Sequence, residues 1–233
     1  MEKTFNNDVT VGQIVTRDFR AAEIFKNAGI DFCCGGNKSI SDACREKGID
    51  PSKIEQELID LDKLPGDQSK NFNSWDLDFL CDYIINTHHK YVLKSLPELR
   101  FYTSKIASVH GDSHPELIEV LEIFSKVNDE LLQHLKKEEE VLFPAINRLL
   151  QSDDIGDKNL IKSEITRMSG EHEFAGDAMD RIRKLTQNYL VPEDACNTYR
   201  ISLKLLEQFE DDLHVHVHIE NNILYPKALM LNY

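Results

Sequence analysis

The sequence predicts an all-α protein in which a small helical N-terminal domain precedes an up-down bundle of four long helices. Three observations support this prediction. Apolar residues recur at helical spacing along most of the 233 residues, and no segment shows the alternation of a strand. Short polar breaks separate four long helical segments. Two of these segments carry nearly the same motif, which indicates a repeated helical hairpin.

Residues 1–62 are predicted to form a domain of short helices separated by turns. Thr10 and Gln13 have the spacing of a capping box at the start of a helix. Asp50 and Pro51 have the order of an N-cap residue and a first helical residue. Apolar residues at helical spacing follow both signals, so each signal predicts a helix that buries one face.

A linker at residues 63–74 and a bundle domain at residues 75–233 are predicted to follow. The linker is predicted from its polar, Pro- and Gly-containing composition. Because long helices joined by short loops pack as antiparallel neighbours, the remaining segments predict an up-down bundle. The four predicted helices span residues 75–108, 115–150, 158–188 and 194–230.

The composition restricts the class of protein. The formal net charge is −14, and so acidic a chain lacks the basic face that nucleic acid or an anionic membrane requires. No apolar run approaches the roughly 20 residues of a membrane span, and the N-terminus has no secretory signal. These features predict a cytoplasmic protein. Its five cysteines are therefore expected to be reduced thiols.

Two segments of the predicted bundle match each other. Residues 134–144 read HLKKEEEVLFP and residues 216–226 read HVHIENNILYP, 82 residues further on. Each contains a His and a Glu four residues apart, and each ends in an aromatic residue and Pro. Residues four apart lie on one face of a helix, so each His-Glu pair addresses one level of the bundle interior. The aromatic-Pro ends are expected to pack and to terminate the helices.

A further pair of histidines has almost the same offset, since His89 and His172 lie 83 residues apart. Antiparallel packing would bring them to the level of the two His-Glu pairs. A lone His, or one His-Glu pair, is usually structural, but the duplication favours a site for two metal ions with shared carboxylates. Mixed imidazole and carboxylate ligation indicates iron or manganese. The candidate metal ligands are His89, His134, Glu138, His172, His216 and Glu220.

The other histidines and two cysteines receive different predictions. His88 is adjacent to His89, and only the repeat offset selects between them. Glu171, beside His172, is expected to be a solvated charge rather than a partner of a ligand. His110 and His114 are expected at the turn between the first two long helices. His214 and His218 flank His216 on other faces and are expected to be partly exposed or to support the ligands. Cys81 and Cys196 are expected to be ordinary small core or surface side chains.

Cys33 and Cys34, in the segment GIDFCCGG, form a second candidate site with a redox or transfer role. A bond between them would be strained, because Cα atoms of adjacent residues lie only about 3.8 Å apart. Two thiolates cannot enclose a metal ion by themselves. Gly35 and Gly36 are expected to permit a tight turn whose amides point at the sulfurs and favour thiolate. The alternative is that one cysteine packs inward and the other is incidental.

These motifs resemble the RIC (repair of iron centres) family. The resemblance rests on GIDFCCGG together with HLKKEEEVLFP, GEHEFAG and HIENNILYP, and it covers essentially the whole chain. It implies a hemerythrin-like bundle with two non-haem iron ions, joined by an oxo or hydroxo bridge and held by the six ligands named above. It also implies a cytoplasmic protein that restores iron–sulfur clusters damaged by nitric oxide or oxidative stress.

The leading hypothesis is therefore a repair protein that donates iron to damaged iron–sulfur proteins, rather than a conventional enzyme. One alternative is a hemerythrin-like protein that binds or senses dioxygen or nitric oxide. Another is a nitric oxide reductase, which would need electrons from a partner because the sequence has no flavin or nicotinamide fingerprint. A homodimer that places two Cys33–Cys34 segments together is a further hypothesis.

Overall fold

A computed structural model describes residues 9–65, 71–152 and 154–231, so residues 1–8 and part of the predicted linker lie outside the described residues. Within these ranges the regular structure is helical, and the single strand-type pairing is an isolated bridge between Thr10 and Ser39. The all-α prediction is confirmed. None of the described helices is both long and apolar enough to cross a membrane.

The internal contacts divide the chain into two compact units. One comprises Met1–Leu80 together with Val217–Tyr233, and the other comprises Cys81–His216. The fourth long helix continues without a break through residues 216 and 217. The domain limits 1–62, 63–74 and 75–233 stay a prediction.

Short capped helices build the N-terminal part of the first unit. Thr10 Oγ1 accepts from the Gln13 amide at 3.3 Å and Gln13 Oε1 accepts from the Thr10 amide at 3.1 Å, which is the predicted capping box. Asp50 caps the helix that begins at Pro51 by accepting from the Ser52 amide at 3.0 Å. The helices are α1 Val11–Arg17, α2 Ala21–Asn27, α3 Ile40–Lys47 and α4 Pro51–Asp62.

Four long helical runs follow at residues 77–110, 116–149, 155–185 and 197–230, close to the predicted bounds. Three of them are interrupted by a π-helical turn, at Ile85–His89, Glu138–Leu142 and Glu220–Leu224. The α-helical parts are α5 Leu77–Ile84, α6 Lys90–His110, α7 Glu116–Lys137, α8 Phe143–Leu149, α9 Ile155–Leu185, α10 Asn197–Ile219 and α11 Tyr225–Met230.

The π-helical turns explain the aromatic-Pro ends of the repeated motif. Pro144 and Pro226 lack an amide hydrogen and exclude the carbonyl four residues earlier, so an α-helical turn cannot continue unchanged through them. Instead, the Phe143 amide donates to the Glu138 carbonyl, and the Tyr225 amide donates to the Glu220 carbonyl, five residues back. The expectation that the helices end here is wrong, because α8 and α11 continue beyond each proline.

Buried aromatic side chains pack the interior of the bundle unit. Phe124 of α7 meets Phe209 of α10 edge to face, with ring centroids 5.7 Å apart, and both side chains are fully buried. Helix α7 packs against both α6 and α9. This apolar packing surrounds a group of histidine and glutamate side chains that are equally buried, which is an unusual environment for ionisable groups.

Candidate metal centre and thiol loop

All six candidate ligands lie in the interior, each at most 2% exposed. Burial of polar side chains costs free energy unless partners compensate. The π-helical turns place three of these side chains: His89 ends one turn, and Glu138 and Glu220 begin the others. Turns of this kind often occur at functional sites.

The ligand-type atoms form two groups that could each hold a metal ion. One group comprises His89, Glu138, His216 and Glu220, and its atoms lie within 4.8 Å of one another. The other replaces the two histidines by His134 and His172 and meets the same limit. Two carboxylates are therefore common to both groups, and each group adds two imidazoles of its own.

The distances within the second group fit metal ligation. Nε2 of His134 lies 3.0 Å from Nε2 of His172. Two nitrogens bound at about 2.1 Å and at right angles on one ion would lie about 3.0 Å apart. Oε2 of Glu138 is 3.4 Å from Nε2 of His134 and 3.3 Å from Nε2 of His89. Glu138 thus contacts one histidine of each group, as a bridging carboxylate would.

Electrostatics also favour a cation at this point. Burial by itself would raise the pKa of Glu138, but the charges and hydrogen bonds of His134 and His89 bring that pKa well below its usual value. The carboxylate is therefore ionised inside the bundle. A metal cation could replace the protons that these imidazoles carry in its absence, and imidazole combined with carboxylate is a donor set that suits iron or manganese.

Carboxylates outside the groups fix the orientation of two histidines. Glu171 Oε2 lies 2.8 Å from Nδ1 of His134, and its other oxygen accepts from Lys137 Nζ at 2.6 Å. The hydrogen bond with His134 and the interactions with Lys137 outweigh partial burial and lower the pKa of Glu171 to about 2. The prediction of Glu171 as a solvated charge is wrong. Glu139 plays the equivalent part for His89, with Oε1 at 2.8 Å from Nδ1.

The two adjacent histidines have different surroundings. His88 is also buried, but its Nδ1 lies 3.0 Å from Asp212 Oδ1. Its ring stacks on that of His216, with centroids 5.3 Å apart and planes at 5°. The two groups of ligand-type atoms include His89 and not His88. His88 thus supports the His216 ring from one side.

The thiol loop, defined as residues Asp31 to Gly36, is organised by a carboxylate. Asp31 accepts from the amides of Cys33 at 2.8 Å, Cys34 at 3.1 Å and Gly35 at 2.7 Å. The amides therefore point at the carboxylate rather than at the sulfurs. Contact with Cys34, burial, and the charge of Asp31 raise the pKa of the Cys33 thiol well above its usual value. For Cys33, the expectation that the turn favours thiolate is wrong.

Residues of the last helical run hold the thiol loop in place. Asn222 Nδ2 donates to the carbonyl oxygens of Cys33 at 3.1 Å and Phe32 at 3.4 Å. His218, which is fully buried, has Nδ1 3.4 Å from the same Phe32 oxygen. A Cβ atom on Gly36 would lie 2.9 Å from Asn222 Oδ1, so the absence of a side chain permits this close approach.

A cysteine–histidine pair lies at the N-terminal end of α10. The exposed Cys196 has Sγ 3.2 Å from Nε2 of His110 at the end of α6. Amide hydrogen bonding at Tyr199, together with His110, lowers the pKa of Cys196 to about 7. The sequence predicted Cys196 to be an ordinary side chain and did not indicate its contact with His110. The position of Cys196 directly before a helix was the sequence signal that could have revealed it.

Comparison with known proteins gives consistent matches along the chain. The Hemerythrin HHE cation binding domain family matches residues 82–228, and a domain of unknown function (DUF542) matches residues 7–62. The iron–sulfur cluster repair protein ScdA of Staphylococcus epidermidis is 34% identical over 219 residues, which cover 94% of this chain and 96% of the relative. The iron–sulfur cluster repair protein YtfE of Yersinia pseudotuberculosis is 35% identical over 210 residues, 90% of this chain and 91% of the relative.

Proposed function

Because this chain belongs to the hemerythrin HHE family of cation binding proteins, and to the group of iron–sulfur cluster repair proteins within it, we propose that it repairs damaged iron–sulfur clusters with iron held in its bundle. The observation that carries the proposal is the sharing of Glu138 by two histidine pairs in a fully buried site. A pair of ions held by few, shared ligands is suited to release.

The proposed cofactor is a pair of non-haem iron ions with an oxo or hydroxo bridge. One ion would be held by His89 and His216 and the other by His134 and His172. Glu138 and Glu220 would bridge the two ions. Support comes from the two groups of ligand-type atoms, in which both carboxylates recur.

The surrounding residues would prepare this site. Glu139 and Glu171 contact Nδ1 of His89 and His134, which keeps a proton on that nitrogen and leaves Nε2 as the ligand atom. Lys137 in turn holds Glu171. When bound, the iron pair supplies the metal that a damaged cluster has lost. The chain's own part is to orient the ligands and to exclude water from them.

The proposed partners are iron–sulfur proteins damaged by nitric oxide or by oxidative stress. Nitric oxide and dioxygen are the small ligands proposed for the iron pair, and a homodimer is proposed as the functional form. The thiols of Cys33 and Cys34, which are not joined in a disulfide, are proposed to take part in transfer or redox control. They also support a reducing compartment such as the cytoplasm as the site of action.

A repair assay with a matched pair of variants tests the proposal. A peroxide-damaged [4Fe–4S] dehydratase would be incubated with iron-loaded wild-type protein, with Glu138→Gln, and with Glu140→Gln, whose side chain is exposed. We expect wild type and Glu140→Gln to restore dehydratase activity, and Glu138→Gln to fail. Restoration by Glu138→Gln equal to wild type would contradict the proposal.

The same preparation distinguishes the alternative functions. Reversible binding of nitric oxide or dioxygen, with no loss of iron and no repair, would indicate a gas-binding protein. Catalytic formation of nitrous oxide on addition of nitric oxide and a reductant would indicate a reductase. Repair with a stoichiometric loss of iron from the protein is the result that the proposal predicts.

A further inference from the structure

We propose that Asp31, Cys33 and Cys34 form a second transition-metal site, separate from the bundle ligands, that accepts a ferrous ion in transit. The proposal rests on the proposed repair function for the identity of the ion, but the site itself can be tested without any repair assay. Carboxylate and sulfur atoms of the three residues lie within 4.8 Å of one another.

The separation of the sulfurs suits one shared ion better than a bond between them. Sγ of Cys33 lies 4.0 Å from Sγ of Cys34, and no disulfide joins the two cysteines. Two metal–sulfur bonds of about 2.3 Å at a tetrahedral angle place the sulfurs about 3.8 Å apart, close to the observed distance. A disulfide would require a separation of about 2.05 Å. Asp31 Oδ1, 3.1 Å from the Cys33 sulfur, offers a third ligand.

Hydrogen bonds within the protein fix the conformation of the thiol loop without a bound ion. Asp31 accepts hydrogen bonds from three successive backbone amides, and Asn222 donates hydrogen bonds to the carbonyl oxygens of Phe32 and Cys33. Little conformational entropy is then lost when an ion binds.

The partial exposure of Cys34 indicates exchange rather than permanent binding. Cys33 is 4% exposed, whereas Cys34 lies partly at the surface. Structural thiolate sites enclose their ion with four protein ligands, but this site has three. An ion between the sulfurs would keep a coordination position towards solvent, where a ligand from a recipient protein can replace water.

The proton balance makes binding reversible. A divalent ion bound by both cysteines displaces two thiol protons, so one ion enters and two protons leave. Because protons compete with the ion for the two sulfurs, affinity should rise with pH.

The helical run that contacts the thiol loop also contains two of the bundle ligands. His218 and Asn222, four residues apart, contact the thiol loop. His216 and Glu220, also four residues apart, occupy the intervening positions on another face. The same two helical turns therefore carry two bundle ligands and the two residues that hold the thiol loop.

Cobalt(II) is the probe for the site, because thiolate bound to cobalt absorbs strongly in the near ultraviolet and imidazole or carboxylate does not. Cobalt would be added to the iron-loaded full chain under anaerobic conditions. We expect a thiolate-to-cobalt band in wild type and in Cys196→Ser, the control that removes an exposed cysteine elsewhere. The band should vanish in Cys33→Ser and in Cys34→Ser. Asp31→Asn keeps an acceptor oxygen for the Cys33 and Cys34 amides and loses the one for Gly35. It should bind cobalt at least about tenfold more weakly, and its circular dichroism spectrum should match that of wild type.

Two results would overturn the proposal. The first is a wild-type protein without the band, or a band that persists in the Cys33→Ser/Cys34→Ser double variant with an unchanged circular dichroism spectrum. The second is a failure of ferrous iron to displace cobalt even in large excess, which is needed because cobalt(II) generally binds more tightly than iron(II); that result would exclude a role in iron transit. If the band behaves as expected but repair does not occur, the metal site stands and the proposed function fails. If repair persists in the double variant, the repair function stands and transit through this site fails.

Discussion

Nε2 of His134 lies 3.0 Å from Nε2 of His172, so two imidazoles on different helices present ligand nitrogens to one point in the bundle. Two such nitrogens at this distance can share one proton or bind one cation. Glu171 lies 2.8 Å from Nδ1 of His134 and holds a proton on that side of the ring. The arrangement favours a cation between the two rings.

The adjacent histidines provide the sharpest test of the ligand assignment. His89→Asn should reduce bound iron by at least one ion per chain, because it removes a nitrogen next to Glu138. His88→Asn should keep both ions, since His88 contacts Asp212 and stacks on His216 without joining either group. Iron would be quantified in proteins reconstituted side by side. The opposite pattern would show that the repeat offset selects the wrong histidine.

Removal of the charge from Glu171 should weaken metal binding without removing a ligand. Glu171→Gln loses an anionic partner of His134, and such changes typically cost about 10- to 100-fold in metal affinity. Glu173→Gln, two residues along the same helix and exposed, serves as the control. Competition with a chelator would give both affinities. Equal affinities for the two variants would show that the contact has no effect on the ions.

Two Gly→Ala substitutions should change stability in opposite directions. A Cβ atom on Gly12 would lie 2.2 Å from Asn222 Oδ1, and Asn222 cannot move without losing its bonds to the thiol loop. Gly12→Ala should therefore destabilise the fold by about 1–3 kcal/mol. Gly170, exposed within α9, has nothing within 4 Å of its Cβ position, so Gly170→Ala should stabilise by up to about 1 kcal/mol. Urea unfolding of the metal-free proteins would measure both, and stabilisation by Gly12→Ala would contradict the close packing.

Cys196 should react faster with thiol reagents near neutral pH than the other cysteines. Its pKa is lowered to about 7, so a large thiolate fraction exists at pH 7.5, whereas the pKa of Cys33 is raised. The alkylation rate at Cys196 should rise with pH through about 7. His110→Ala should shift this midpoint upward, since it removes the imidazole 3.2 Å from the sulfur. Mass spectrometry of peptides alkylated across a pH series would locate the midpoint, and an unchanged midpoint in His110→Ala would exclude the imidazole as its cause.

Local patterns in the sequence predicted much of this fold. Capping at Thr10 and Asp50, and the bounds of the four long helices, follow from interactions within a few residues and were predicted correctly. The π-helical turns were not predicted, because apolar periodicity cannot separate an α-helical turn from a π-helical turn. Two of the three turns have a cause that is visible in the sequence, Pro144 and Pro226, but a proline alone is equally compatible with a helix end.

The missed contacts at the candidate sites join residues far apart in the chain. Glu171 contacts His134 from another helix, and Cys196 contacts His110, which lies 86 residues earlier in the chain. Asp31 differs, because it accepts hydrogen bonds from amides that follow it directly in the chain. The two glycines of this segment indicate a turn without indicating what its amides bind. Contacts between helices depend on their relative rotation, which a repeat offset does not specify.

The number of iron ions per chain tests the central claim most directly. Protein reconstituted anaerobically with ⁵⁷Fe, freed of excess metal and exposed briefly to air would be assayed for iron and examined by Mössbauer spectroscopy. The account predicts two ions per chain in wild type, as an antiferromagnetically coupled pair that is lost in Glu138→Gln and retained in Glu140→Gln. A single uncoupled ion per chain, or a coupled pair that persists in Glu138→Gln, would contradict it.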